Sequence, residues 1–488
     1  MTATAPTSAR RFAVIGGGVT GLAAAHRLIE LGPADITLFE ASDRLGGVAA
    51  TVRIGDYLVE TGADSFITNK PGAIRLCERL GLADRLLKTE PTFRGSHVLR
   101  KGKPVPVPDG FMLLSPAKIW PVLASSIFSP LGKLRMGLEY FVPRRRDDGD
   151  ESLADFVRRR LGREALDRLI QPLVGGIYTS DPERLSLRAT LPRFVEMERA
   201  HGSLIRAARK QAADQSSKPE DASGGGARYS LFATLKDGMT ELFDALRAKI
   251  ETTGRIVLNS AVVRLESLPE GRTRLTFADQ SSADFDGVVI ALPAYRAAEL
   301  LKTLDRESRR GTSTPLRDLC SELAAIEYAS TAVVVSGHKL ADIENPLNSF
   351  GLVIPAIERR RILAVSYASR KFVGRAPEGR VILRTFVGGA MQPEQLLGTD
   401  ADIERSVLEE LRSTLGVGGT PDFVRVVRHT NAMPQYYIGH LDRVRRIFEL
   451  MATVPGIELA GSAYHGVGIP DSIQSAERAA EALALVGQ

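Results

Sequence analysis

A chain of 488 residues that is 44% hydrophobic and 25% charged is an ordinary globular protein, which excludes collagen-like, disordered and disulfide-framed classes. At roughly 150 residues per domain it has room for two or three domains and a sizeable core. The net charge of +6, from 64 Lys and Arg against 58 Asp and Glu, is too mild and too dispersed for a nucleic-acid binder and suits solubility or an anionic partner. Two distant cysteines, Cys77 and Cys320, fit a reducing, cytoplasmic compartment and form neither a zinc site nor a redox dithiol, so no metal is expected. Met1 to Arg11 lacks the apolar stretch of a signal peptide, and a strand begins almost at once.

The first βαβ unit is predicted from Arg11–Ile15 as a strand, Gly16–Gly21 as a glycine loop, Val19–Leu31 as an amphipathic helix closed by Gly32-Pro33, and Ile36–Phe39 as a second strand. From Pro71 to about Arg209 helical periodicity dominates. Within it Phe111–Phe128 is apolar but broken by Pro116, Lys118 and Pro121, too short and interrupted for a membrane span. Lys133, Arg135 and Arg144-Arg145-Arg146 follow it. An apolar segment ahead of a basic cluster is either a peripheral contact with an anionic bilayer or a buried helix with a solvated end. Lys210–Arg228, containing Ser223-Gly224-Gly225-Gly226, is predicted as a linker.

Strands return at Arg255–Leu258, Arg274–Phe277 and Gly287–Leu292, and four β-branched segments then predict an antiparallel sheet: Thr331–Ser336, Gly351–Ile354, Arg361–Tyr367 and Arg380–Val387. A last strand at Ile457–Ala460 and a helix at Ser472–Leu485 restore α/β character.

Gly16-Gly17-Gly18-Val19-Thr20-Gly21 matches GxGxxG between a strand and a helix. The first glycine makes the turn, the second admits a pyrophosphate and the third lets helix and strand pack. Glu40 ends the second strand nineteen residues beyond Gly21, where a carboxylate accepts from an adenosine ribose and disfavours a 2′-phosphate. Arg44-Leu45-Gly46-Gly47 adds a second glycine pair and donors suited to a longer flavin dinucleotide, and Gly62-Ala63-Asp64-Ser65-Phe66 offers another close backbone approach.

Together these segments resemble the amine-oxidase-like flavoproteins. The tail Gly461-Ser462-Ala463-Tyr464-His465-Gly466-Val467-Gly468-Ile469-Pro470-Asp471-Ser472-Ile473 is similar to the protoporphyrinogen/coproporphyrinogen oxidase branch. That resemblance implies an α/β fold: a Rossmann-like FAD-binding domain built from residues 1–85, 229–295 and 426–488, a helical insertion over 86–210, and a mixed or antiparallel-sheet substrate domain over 296–425. It implies non-covalent FAD held by Gly16 to Gly21, with Glu40 and Ala41 at the ribose. Arg44, Gly46, Gly47, Val48 and Gly62 to Ser65 (Ala63 and Asp64 between) would lie along the cofactor, Val262 at the adenine, and Ser462 with Val467, Gly468 and Ile469 over the flavin.

The implied activity is six-electron oxidation of a porphyrinogen to a porphyrin by oxygen, with hydrogen peroxide released, in haem biosynthesis beside enzymes such as ferrochelatase. Coproporphyrinogen III is favoured over protoporphyrinogen IX; a carotenoid or amine oxidase of the same superfamily is the further alternative. Lys70 is a candidate propionate partner or a surface lysine, and Tyr367 a stacking wall or a core tyrosine. Gly175-Gly176 is a close approach for a flat ligand or a helix-ending turn, and His465 a base or a bystander.

Overall fold

The computed structural model describes residues 10–108, 111–112, 115–116, 119–216, 231–305 and 314–485. Its first sheet has five strands in the spatial order Arg255–Val257, Asp35–Phe39, Arg11–Ile15, Gly287–Ile290 and Ile457–Leu459. All neighbours run parallel, with Val14 opposite both Leu38 and Val289. Parallel strands need cover on both faces, and the period of two supplies it. Phe12 and Val14 join a core with Leu22, Leu28, Phe243 and Ile473, while Ala13 and Ile15 join another with Phe277, Phe285 and Ile447. The helix Val19–Leu31 begins and ends where the sequence predicts. It packs on the C-terminal helix Ile469–Leu485, which starts three residues earlier than expected.

The second sheet has seven strands, in the order Phe423–Pro434, Tyr328–Lys339, Arg380–Gly388, Ala364–Tyr367, Gly351–Val353, His97–Arg100 and Lys103–Pro106. Only Gly351–Val353 with His97–Arg100 is parallel; the other neighbours are antiparallel. Val333, Val335 and Ile382 face Tyr57 and Val59, whereas Ala332, Val334 and Leu383 face Val407 and Leu411 of the helix Asp400–Leu415.

Three expectations change. Two strands of this sheet come from the segment assigned as helical over 86–210. They are four residues each, joined by Lys101 and Gly102 at positive φ, too short for a period of two to stand out in sequence. The boundary at 425/426 falls inside the strand Phe423–Pro434, and that at 295/296 inside the helix Ala294–Leu301, because strand pairing and helix packing run through both points. Residues 210–216 of the predicted linker continue the helix Leu204–Ser216; residues 217–228 lie outside the described residues. So do residues 1–9 of the N-terminal stretch and, within the Phe111–Phe128 segment, residues 113–114 and 117–118.

The helical insertion has its own core, with Leu153, Phe156, Leu169, Val174 and Leu185 fully or almost fully buried. Inside it Arg160 and Glu139 are both completely buried and paired with each other. Glu139 also accepts from Ser203 Oγ at 2.6 Å and from the N–H of Leu204 at 2.8 Å. Arg160 donates to the carbonyls of Val142 and Gly202 at 2.9 and 2.7 Å. Among the described residues no helix is long and apolar enough to cross a membrane. Replacing Arg160 by Met strands the Glu139 charge, and we expect a loss of about 3–5 kcal/mol. Urea unfolding followed by far-ultraviolet circular dichroism measures it, and a loss under about 1 kcal/mol would show that this pair does not fasten the insertion.

Candidate cofactor cradle and active site

The two glycine loops form one cradle. Gly46 N–H donates to the Gly17 carbonyl at 2.9 Å, and Gly18 bridges Gly46 as a parallel pair. Gly16 has φ +109°, and a Cβ there would stand 2.6 Å from the Ala291 carbonyl oxygen, so only glycine turns the chain at this point. Gly18 and Gly47 face each other, and a Cβ on Gly47 would stand 3.3 Å from the Gly18 Cα. The helix that follows starts at Val19 with no side-chain cap on its first N–H groups, which leaves donors and a positive dipole end for an anion.

Glu40 is fixed at the mouth. Its Oε2 accepts from Gly17 N–H at 2.6 Å, and its Oε1 from the N–H and hydroxyl of Ser42, both at 2.8 Å. Oε2 keeps a lone pair for a ribose hydroxyl. Beside it Ala41, Arg44 and Gly47 are exposed and Val48 is 57% exposed, an open lip on an otherwise packed domain. Arg44 braces the loop, donating to the carbonyls of Gly47 at 2.7 Å and Leu45 at 3.2 Å. Val262 starts a strand just after Asn259 and Ser260, whose N–H groups donate to the carbonyls of Ser42 and Glu40 at 2.9 Å each, so it stands near Glu40. These residues fit a dinucleotide.

Gly62 lies beneath this lip, where a Cβ would stand 2.0 Å from the Val48 carbonyl oxygen. Ala63 is exposed, and Asp64 and Ser65 are tied to the seven-stranded sheet. Arg384 donates to the Gly62 carbonyl and lies 2.9 Å from Asp64 Oδ2. Lys371 Nζ lies 3.2 Å from Asp64 Oδ1 and 2.8 Å from Ser65 Oγ. Burial alone would raise the Asp64 pKa, but Lys371 and Arg384, with the Ser65 hydroxyl, hold it far below the usual carboxylate range. His429 Nε2 stands 2.9 Å from the Thr61 carbonyl, and burial lowers its pKa, which keeps the ring neutral. Glu60, behind the segment, accepts from Met239 N–H and Thr51 Oγ1 at 2.9 Å each, and burial raises it to about 7.

The tail is clasped from below. Tyr436 hydroxyl donates to the Ser462 carbonyl at 2.6 Å and accepts from Gly466 N–H at 2.7 Å, while its ring stacks on His440 at 3.8 Å. Gly466 has φ +144°, and a Cβ on it would meet Asp471 at 2.4 Å. Val467 packs on the helical insertion's core and Ile469 on the core of the parallel sheet, so Gly468 joins two bodies.

The structure redistributes the candidate substrate residues. Lys70 is ion-paired with Asp471 at 2.7 Å, under the tail. Tyr367 is 1% exposed in the core beneath the sheet; Ser366 and Ala364, paired with Arg384 and Phe386, occupy the opposite face. Gly175 and Gly176 lie inside the helix Gln171–Tyr178, which ends at Thr179 in the left-handed region, so they do not terminate it. A Cβ on Gly176 would come within 4.0 Å only of Val353, leaving an open face between helix and sheet. A π turn, Leu166–Ile170, precedes this helix, a device frequent at functional sites. His465 is exposed and stacks on Phe448 at 5.4 Å.

Sequence reasoning missed Arg384, Lys371, Tyr436 and the role of Asp471. Arg384 had a signal, since an arginine interrupts the apolar run Val381-Ile382-Leu383 and Phe386-Val387. Asp471 stands inside the tail motif itself.

The model of the family described as flavin containing amine oxidoreductase matches residues 19–484. The chain is 33% identical to the coproporphyrinogen III oxidase of Bacillus subtilis, over 96% of each chain. It is 28% identical to the chloroplastic protoporphyrinogen oxidase of Nicotiana tabacum, over 95% of this chain and 83% of that one. Among solved structures, a putative protoporphyrinogen oxidase from Exiguobacterium sp. 255-15 superposes with a TM-score of 0.83 at 29% identity, covering 98% of this chain and all of the other. With glycine loops, an acid and a tail arranged as a dinucleotide cradle and the match running from the first helix to the last, the chain belongs to the flavin-containing amine oxidoreductase family.

Proposed function

We propose that this protein is a cytoplasmic, oxygen-dependent porphyrinogen oxidase carrying non-covalent FAD, and that coproporphyrinogen III is its preferred substrate. The observation that carries the reading is the open face between the Gln171–Tyr178 helix and Val353. It is bordered by the glycine-rich tail that Tyr436 and Asp471 hold in place. Backbone and small side chains there border a flat ligand more closely than bulky ones could. Higher identity to the bacterial coproporphyrinogen III oxidase than to the plant enzyme favours the substrate with four propionates. The plant relative makes protoporphyrinogen IX the second reading. For an amine oxidase an aromatic cage would be expected, but the sole tryptophan, Trp120, stands 82% exposed on the helical insertion.

The chemistry that a bound flavin supplies is two-electron oxidation with oxygen as terminal acceptor; three rounds account for one porphyrin and three hydrogen peroxide. The chain's own work is to bind, orient and exclude water. Glu40 and the uncapped helix start hold the dinucleotide, Arg384 and Asp64 fix the segment beneath Val48, and Tyr436 and Asp471 fix the tail.

The peripheral membrane contact belongs to the same reading. Trp120, Leu131, Leu134 and Phe141 are 82, 78, 63 and 75% exposed on successive short helices. A groove of about 320 Å³ there is rimmed by Lys133 and Arg209. Apolar side chains beside lysine and arginine suit an anionic bilayer surface.

Three measurements test this. Purified yellow protein should oxidise coproporphyrinogen III faster than protoporphyrinogen IX in air, with porphyrin fluorescence and peroxide rising together; bound flavin with activity on neither would overturn the assignment. Glu40→Ala should lower FAD content by removing the ribose acceptor, and full occupancy at 450 nm in the purified variant would count against the cradle. Trp120 emission should shift to the blue with phosphatidylglycerol vesicles and not with phosphatidylcholine; no shift and no co-sedimentation with either would remove the membrane contact.

A further inference from the structure

Beneath the Gly62–Ser65 segment lies more charge than positioning requires. Holding one carbonyl and one hydroxyl takes a single donor, yet Asp64 faces two cations, and all three side chains are nearly out of water. Their exposures are 14% for Asp64, 3% for Arg384 and 12% for Lys371. Lys371 also stands 4.8 Å above the Phe232 ring and 5.1 Å from that of Phe372, walls that keep its ammonium poorly solvated. Arg375, 2% exposed and bonded to the carbonyls of Lys236 and Leu235 at 2.8 and 2.7 Å, adds a third cation behind Glu60. Arg375 is matched there by Glu60, Asp237 and Glu241, whereas Lys371 and Arg384 stand against the single carboxylate of Asp64, so the balance of that set is positive.

We propose that Asp64, Lys371 and Arg384 form a charge set that fixes the reduction potential of the flavin: the surplus positive charge raises it, and Asp64 moderates it. The proposal rests on the reading that Gly62–Ser65 borders the flavin. Reduction makes the ring more negative, so buried cations beside it favour the reduced state and a buried carboxylate opposes it. In a poorly hydrated site these effects are not screened as they are at a surface. The three are positioning residues: they reach the ring through charge and through the loop they hold, and none touches the reacting atoms of the substrate.

The test is the midpoint potential of FAD-loaded protein, measured by equilibration with indicator dyes. Lys371→Met should lower it and Asp64→Asn should raise it, each by about tenfold in the reduction equilibrium, about 30 mV for a two-electron couple. A role confined to holding the loop would leave both potentials unmoved or move them in one direction, and either result overturns the proposal. Should Asp64→Asn fail to fold, Lys371→Arg replaces it. A potential kept by Arg and lowered by Met supports the charge argument, and equal values in the two variants sink it. Gly62→Ala separates the underlying reading. Its Cβ would strike the Val48 carbonyl, so an undiminished FAD content would remove the segment from the cofactor's surroundings. Lost FAD with unmoved potentials in the charge variants would reject the charge set alone.

Discussion

A single guanidinium couples the two sheets at the point where chemistry is expected. Arg384 rises from the middle of the seven-stranded sheet, donates to the Gly62 carbonyl and pairs with Asp64. Gly62 in turn has no space for a side chain against Val48 and Ala49. The cofactor cradle, the segment under it and the seven-stranded sheet thus share one short chain of contacts. Apolar packing could bring the two bodies together, but it has no direction and would let the segment slide. A buried, multiply bonded arginine gives it one position.

The same arrangement recurs at the tail. Asp471, on the first turn of the last helix, receives Lys70 from the N-terminal part of the chain and crowds Gly466, while Tyr436 from the sheet's end binds Ser462 and Gly466. Val467 and Ile469 then drop into different cores. Tyr436 and Asp471 both contact a loop of nine residues, Gly461 to Ile469, and Lys70 holds Asp471, so each contact specifies a distance. Lys70 is better understood from this geometry than as a carboxylate receptor. Its ammonium neutralises an acid that would otherwise stand alone at a helix start, where the dipole already takes part of its charge.

What the sequence made legible divides along physical lines. The parallel sheet and its cradle were readable because their constraints are local: a strand, a turn that only glycine makes at Gly16, a helix and an acid at Glu40 follow one another within thirty residues. Four strands of the antiparallel sheet were readable from β-branched segments; Phe423–Pro434, twelve residues long, was not, since Arg425, Arg428, His429 and Asn431 interrupt its apolar positions. Nor were the strands His97–Arg100 and Lys103–Pro106: four residues carry little period, and among the described residues the first meets the rest of the sheet only at Gly351–Val353, some 250 residues away, while the second pairs only with the first. Tyr367 and Ser366 differ by one position, and which of them shares the face of Arg384 depends on register, a property of the assembled sheet. Arg384 and Asp64 lie 320 positions apart in sequence, so their pairing exists only in the fold.

Three charge groups, Glu139 with Arg160, Asp64 with Arg384 and Lys371, and Asp471 with Lys70, all stand where separate segments meet, the first two buried and the third with Lys70 49% exposed. Buried ion pairs add little net stability over apolar packing of the same volume, and removing one partner is costly. Their placement therefore bears on geometry more than on stability. In the insertion the Arg160–Glu139 pair closes a helix junction and is neutral, and Glu198 beside it is matched by Arg159. Beneath Gly62 the group is unbalanced toward positive charge, although a single arginine would have sufficed to hold the loop. A fold that needed only a brace would be expected to neutralise it, as the Lys70–Asp471 pair is neutralised. With Gly62–Ser65 read as bordering the flavin, an excess of charge in so little-exposed a place is better explained by its effect on electrons than by its effect on structure.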